Sequence, residues 1–202
     1  MKFKIDFSKH LRKDFFLQNT ETVARNLIGK VLVRQLDGFY IAAMIVEAEA
    51  YLAENDLASH SSVGKTRRNQ AMFSEGGSIY VYKIYGVHHC VNFVTENEGK
   101  GSAVLIRAGE PLYGIDIVKK IRGDIPAPKL LSGPGNFAKG FSFTIEDNNK
   151  NLFTPELFVQ EFLNFPPDKI GISERIGIIK SKELKLRFYL RGCKSISAKP
   201  KD

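Results

Sequence analysis

The sequence predicts an α+β fold: a single domain, spanning residues 1–202, built on a curved, mainly antiparallel β-sheet with peripheral helices. Three observations predict it. Runs rich in Val, Ile, Tyr and Phe with strand-like alternation outnumber runs with helical periodicity. The connections between those runs are short and turn-rich, as hairpins require, rather than long enough for crossover helices. No repeat, low-complexity tract or linker divides the 202 residues, a length that fits one globular domain.

The elements follow in order. Residues 14–27 read as a helix, with Thr20 or Thr22 as possible caps. Ile28-Gly29-Lys30 leads into a strand over 31–34, and Asp37-Gly38 is a tight hairpin turn into a second strand over 39–50. Residues 55–69 are polar and charged and read as loop. Residues 78–95, broken once at Gly86, are two strands joined at a tip, and 103–107 is another short apolar strand. A helix is expected over 111–121. The Ser132-Gly133-Pro134-Gly135 turn then enters a helix over 136–141, and late strands fall at 158–162, 176–179 and 186–191.

Composition narrows the partners. A formal net charge of +8 attracts polyanions, although RNA, an anionic membrane or solubility alone would fit it as well. The longest apolar run, residues 40–46, is far too short to span a bilayer, and the opening Met1-Lys2-Phe3-Lys4-Ile5-Asp6-Phe7 alternates without the apolar core of a signal peptide. Cys90 and Cys193 are the only cysteines, which argues against a disulfide framework or a cysteine-rich zinc site. The expected setting is a reducing cytoplasm.

Several groups can carry chemistry. In Val46-Glu47-Ala48-Glu49-Ala50-Tyr51, strand alternation puts Glu47, Glu49 and Tyr51 on one face and Val46, Ala48 and Ala50 on the other. Carboxylates spaced in this way, about 7 Å apart, repel, and at least one pKa should rise. An acid at the end of an apolar strand suits a general base; from spacing alone, a solvated face of ion-paired glutamates is favoured. Arg107, at the inner end of Val104-Leu105-Ile106, needs an anionic partner, and Glu47 or Glu49 is the natural one. Tyr80 and Tyr82 share a strand face; Tyr80 reads as core. Tyr85, beside Gly86 at the hairpin tip, is harder to bury, and a projecting ring can wedge into a base stack. His60 sits in a polar loop with Asp56 nearby, a position in which a histidine is most often just solvated. Lys65-Thr66-Arg67-Arg68-Asn69 is a charge run of the usual solvated kind, and the Gly-Pro-Gly of residues 133–135 is either a turn or a cradle for phosphate. His88-His89-Cys90 cannot supply two ligands to one metal, because adjacent strand residues face opposite ways.

Taken together, Val46 to Tyr51, Ser59-His60-Ser61, Lys65 to Asn69, Met72-Phe73, Tyr80 to Gly86, Cys90-Val91-Asn92, Val104 to Ala108, Glu110-Pro111, Ser132 to Gly135 and Leu186 to Gly192 resemble, in order and interval, the alkyladenine (3-methyladenine) DNA glycosylases. The resemblance runs from about Asp14 to Ser197. It implies that Glu49 is the general base, with Arg107 and the backbone carbonyl of Ile176 holding the water. Tyr51, His60 and Tyr82 would line the base pocket, and Asn92 would reject a purine carrying a 2-amino group. Tyr85 would fill the vacated stack. Lys65, Arg67, Arg68, Gly133 and Gly135 are candidate contacts to the DNA backbone. The implied protein is a monomeric, monofunctional glycosylase without cofactor or metal. It would act on duplex DNA containing damaged purines, not on a membrane, in the cytoplasm or at the nucleoid of a bacterium.

The expected substrates are 3-methyladenine and 7-methylguanine; hypoxanthine and ethenoadenine stay open, since a neutral base needs its leaving group protonated. Val87 departs from the bulkier methionine that some members carry beside the wedge, and the 119–129 segment is shorter than in some relatives. Residues 131–138 faintly resemble a helix-hairpin-helix, but that superfamily is helix-rich. Two rival functions compete with this one. A catalytically silent nucleic-acid-binding module would use the charge and the tyrosines and leave Glu49 structural. A bifunctional lyase would need an amine nucleophile, and no lysine occupies the pocket positions named above.

Overall fold

The computed structural model describes residues 3–199, so Met1 and Lys2 of the alternating opening stretch lie outside the described residues. Nine strands form one sheet: β1 Val31–Leu36, β2 Phe39–Tyr51, β3 Ile79–Ile84, β4 His88–Thr95, β5 Ser102–Tyr113, β6 Phe153–Thr154, β7 Leu157–Gln160, β8 Ile170–Ser173 and β9 Arg187–Leu190. Every strand pairing among them is antiparallel, in the order β3-β4-β5-β2-β1-β7-β6, with β9 pairing β2 and β8. Among the described residues, five α-helices flank the sheet: α1 Lys13–Phe16, α2 Thr20–Asn26, α3 Ile115–Arg122, α4 Ala127–Leu130 and α5 Pro134–Gly140.

The spine is β2. It leaves β1 through the Asp37-Gly38 turn, where both residues take positive φ (47° and 83°), the conformation whose twist matches a two-residue hairpin. One edge of β2 pairs β1 in its first half and β9 in its second, while β5 runs along the other edge. One sheet face carries the larger core, in which Phe16 and Val23 from the α1–α2 region and Phe137 and Phe141 from the α5 region meet Ile41, Ala43, Ile45, Ala48 and Ala50. The opposite face has a smaller cluster of Val31, Val33, Ala42, Met44, Val46 and Phe158, covered by Phe3 and Ile5 near the N-terminus and Cys193 and Ile196 near the C-terminus. No helix among the described residues is long and apolar enough to cross a membrane.

Four local expectations need correction. The helix expected over 14–27 is two short ones: the Asn19 side chain accepts from the backbone N–H of Glu21 and Thr22 and starts a second helix, so Asn19, not Thr20 or Thr22, is the cap. Thr20 is buried, with its hydroxyl against Thr95 and Glu96. The helix expected from Pro111 begins only at Ile115, because β5 stays paired with β2 as far as Tyr113 and Gly114 then turns at φ 65°. A side chain at Gly114 would also strike the Tyr40 carbonyl. Finally, 176–179 is a turn rather than a strand: Gly177 has φ 77°, and the strand of this region, β8, lies earlier.

Candidate active site

The site is made by two faults in the β2–β5 ladder. Pairing passes from Ile45↔Gly109 to Glu47↔Ala108 and then to Ala48↔Ile106, so Val46 and Arg107 are each skipped. Such bulges re-aim the side chains that follow. Without them, Glu47, Glu49 and Tyr51 would continue the alternation of Ile41, Ala43 and Ile45 into the larger core. With them, Ala48 and Ala50 enter that core and the two glutamates and Tyr51 emerge on the opposite face. Val46, expected to point away from Glu47, instead packs with Ala42 and Met44 in the smaller cluster, for the same reason.

Glu49 is fully buried and receives three donors: the Ile176 N–H at 2.7 Å on Oε1, and the Tyr51 hydroxyl at 3.0 Å and Arg107 Nη1 at 3.2 Å on Oε2. Glu47, also fully buried, receives Arg107 Nε at 3.2 Å and Arg187 Nε at 2.7 Å on Oε1. Arg107 thus has both glutamates as partners. Burial raises the Glu49 pKa, opposed by Arg107, the Ile176 N–H and Tyr51, with the Glu47 charge the smallest contribution. The rise expected from spacing is therefore present, but desolvation, not repulsion between the glutamates, is its main cause. Convergence of three donors on one carboxyl is the arrangement that suits its ionised form. Tyr51 keeps its proton: burial, then the Glu49 charge, push its pKa far up.

The Ile176 contact depends on a buried ion pair. Arg175 meets Asp56 at 2.6 and 2.7 Å, donates to the Ala50 carbonyl at 2.9 Å and lies 4.6 Å from the centre of the Tyr51 ring. Asp56 in turn accepts from the backbone N–H groups of Leu52 and Ala58. This lattice ties the 174–178 turn to the end of β2.

Above Glu49 lies a cleft of about 480 Å³, bounded by Tyr51, Arg107 and Ile176 and walled by His60, Tyr80, Tyr82 and Asn92. His60 Nδ1 sits 2.8 Å from the Tyr80 hydroxyl, and its ring meets Tyr82 edge-on with centroids 4.5 Å apart. Burial, then Arg68, lower the His60 pKa, which favours the neutral imidazole. Tyr80, pushed up to about 12 by burial, stays protonated. Asn92 is buried and donates its amide N–H to the Tyr80 carbonyl. Tyr85 stands at the tip of the β3–β4 hairpin, 87% exposed, in a left-handed conformation at φ 52°. That conformation is unfavourable for a side chain other than glycine, and here the ring is held in solvent beside the cleft.

A family model described as methylpurine-DNA glycosylase matches residues 14–194. The chain is 42% identical over 179 residues to a protein from Chlorobium phaeobacteroides (88% of this chain, 91% of that one) and 43% identical over 186 residues to one from Methanoculleus marisnigri (91% and 96%). It is 40% identical over 190 residues to one from Carboxydothermus hydrogenoformans (94% and 99%). All three carry the name "Putative 3-methyladenine DNA glycosylase". The chain belongs to the methylpurine-DNA glycosylase family. It is an enzyme of the class that hydrolyses N-glycosyl bonds.

In this glycosylase the positions singled out by sequence divide into three groups. Arg107, Ile176, Tyr51, His60, Tyr82 and Asn92 converge on the cleft, and Tyr85 and Arg68 border it. Glu49, fully buried, does not line the cleft and meets it only through Tyr51, Arg107 and Ile176, which hold its carboxylate. Ile176 also meets the Glu49 carboxylate directly, through its N–H. Lys65 and Arg67 are exposed and do not line the cleft; Lys65 lies 6.0 Å from the Phe73 ring centre. Gly133 precedes α5 at φ 101° and Gly135 sits against His88, while Pro134 between them reaches the cleft. Lys83, not one of the positions named from sequence, also borders the cleft. Sequence alone does not show Tyr80 as the partner of His60, the Arg175–Asp56 pair, or Asn69, whose amide holds the His60 and Gly64 carbonyls. Among the described residues, no group of three or more His, Cys, Asp or Glu side chains is placed to hold a metal ion.

Proposed function

We propose that this chain is a monofunctional glycosylase, acting as a monomer without cofactor, that turns alkylated purines out of duplex DNA and hydrolyses their glycosidic bond with Glu49 as general base. The carrying observation is a buried carboxylate with one lone pair to spare under an aromatic cleft. Oε2 takes two donors but Oε1 only one, which leaves an acceptor for a water O–H. Arg107 and the Ile176 carbonyl would hold that water, and the Ile176 N–H fixes the carboxyl that takes its proton. A 3-methyladenine or 7-methylguanine base is already cationic and departs without a general acid. What is left is to stabilise an oxocarbenium-like sugar and deliver water, both within the reach of one anion.

The walls support the same substrates. Tyr51, Tyr82 and His60 present π faces, and cations are attracted to them; a neutral His60 adds no repulsion. Asn92, its amide fixed through its N–H, would crowd a 2-amino group. 7-Methylguanine carries one and depends on its cationic leaving group to be processed, so it should be a poorer substrate than 3-methyladenine. Flipping costs a few kcal/mol and less for a damaged base. Tyr85, exposed at the mouth, would occupy the gap, and Arg68, Lys65, Arg67 and the N–H groups at Gly133 and Gly135 would steady the backbone. Hypoxanthine and ethenoadenine, which are neutral, should be poorer substrates.

The test is release of free base from duplexes carrying 7-methylguanine. Glu49→Gln should bind them as wild type does and release base about 10³-fold more slowly. No release by wild type, or an undiminished rate in the variant, would refute the assignment. With borohydride present no covalent adduct should form; a trapped adduct would make the enzyme a lyase.

A further inference from the structure

Beyond the catalytic pair, the buried charge of the site is completed by a segment without regular secondary structure near the C-terminus. Ser197 gives Glu47 two hydrogen bonds, one from its backbone N–H to Oε2 at 2.5 Å and one from its hydroxyl to Oε1 at 2.8 Å. Its Oγ also accepts from Arg107 Nη2 at 3.4 Å. Arg187, which holds Glu47 from β9, donates onward to the Ala198 carbonyl at 2.6 Å. The segment is pinned elsewhere by Ser132, which donates to the Ile196 carbonyl, and by Ile196 packing on the smaller core cluster. The family match ends at residue 194, three residues before Ser197.

We infer that Ser197 is a positioning residue: by filling the acceptors of Glu47, it makes Arg107 divide its hydrogen bonds between the two glutamates, and so holds Arg107 on Glu49. The inference rests on the reading of Glu49 as general base. Ser197 Oγ is the acceptor that holds Arg107 Nη2, and a buried guanidinium nitrogen that loses its acceptor turns toward another. Arg187 cannot compensate, because its other nitrogens are committed to Ser173 and Ala198. With the hydroxyl gone, Arg107 turns its Nη2 toward Glu47 Oε2, which holds only the Ser197 N–H, its Nη1 leaves Glu49, and the Glu49 carboxyl loses its direct cation. The groups that face Glu49 are Glu47 and Tyr51 on β2, Arg107 on β5 and the Ile176 N–H; Arg187 on β9 is its ladder partner, and Cys90 on β4 feels its charge. Of these, Arg107 is the one whose placement Ser197 controls.

The experiment is a titration of the full-length protein, free of DNA, labelled with ¹³C at the glutamate carboxyls, with Glu49→Gln identifying the Glu49 signal. In Ser197→Ala the Glu49 midpoint should move up by about one pH unit, a tenfold change in proton affinity, and Ser197→Thr should restore it. Base release by Ser197→Ala should fall about tenfold on the acid side and recover as pH rises, with duplex binding unchanged. An unmoved Glu49 midpoint would overturn the inference. So would a fall in rate that is equal at every pH and accompanied by a lower melting temperature, since that describes a merely structural residue. The titration needs no substrate, so a wild type that releases no base would defeat the proposed function and leave the titration to decide Ser197.

Discussion

The floor and the mouth of the cleft are built on opposite principles. At the floor, Glu47, Glu49, Arg107, Arg175 and Asp56 are buried and their charged groups are paired. Their side chains leave paired strands or a turn tied to them. At the mouth, Tyr85 on the hairpin tip is 87% exposed and Val87 beside it 72%. Chemistry that positions a single water needs groups fixed to within fractions of an ångström, which paired strands and a turn tied down by a buried ion pair supply. A surface that must meet a deformed duplex is better left open, with its apolar groups waiting for a partner.

The contrast can be broken at either end. The largest effect is expected at the floor from Arg107→Gln. It leaves two carboxylates buried without their shared cation, and loss of one partner from a buried pair costs about 3–5 kcal/mol. For a chain of this size the melting temperature should drop on the order of 10 °C, and base release should be lost together with stability. A variant as stable as wild type would mean that Arg107 is not what neutralises the pair. At the mouth, Tyr85→Ala should leave the melting temperature unchanged, since the ring touches little. It should reduce the flipped population about 10–100-fold, the worth of one aromatic stack, with little change in the cleavage step. A fluorescent base analogue beside the lesion reads this directly, and equal flipped populations in both proteins would remove the wedge from the account.

The two regions also differ in how far they can be read from sequence. The mouth was legible, because a tyrosine next to a glycine at the end of an alternating run has few places to go except outward. At the floor, spacing put Glu47 and Glu49 on one face but favoured a solvated one, and only the resemblance singled out Glu49; the pairing of Arg107 with them was legible from the need of a buried arginine for an anion. Their orientation was not. It depends on the skipped residues Val46 and Arg107, and a bulge sets which face follows without leaving a mark in hydrophobic alternation. Long-range partners were hidden for a similar reason: Asp56 and Arg175, or Glu47 and Ser197, lie more than a hundred residues apart and meet only once the sheet has formed. The misplaced helices and the lost strand at 176–179 came from local propensity, which yields to pairing along β2 at Tyr113 and to a left-handed glycine at 177.

The central claim is that one buried carboxyl, Glu49, must be ionised for base release, and the pH dependence of single-turnover excision of 7-methylguanine tests it most directly. That base is cationic below neutrality, so across the acid range its departure adds no titration of its own. Burial holds the Glu49 pKa above the ordinary glutamate value of 4.5. A base is lost when it is protonated, so the rate should fall as pH drops, with unit slope and a midpoint above that value. Glu49→Gln should show a low rate with no such limb. A wild-type rate that is flat through this range, or the same limb persisting in Glu49→Gln, would contradict the account.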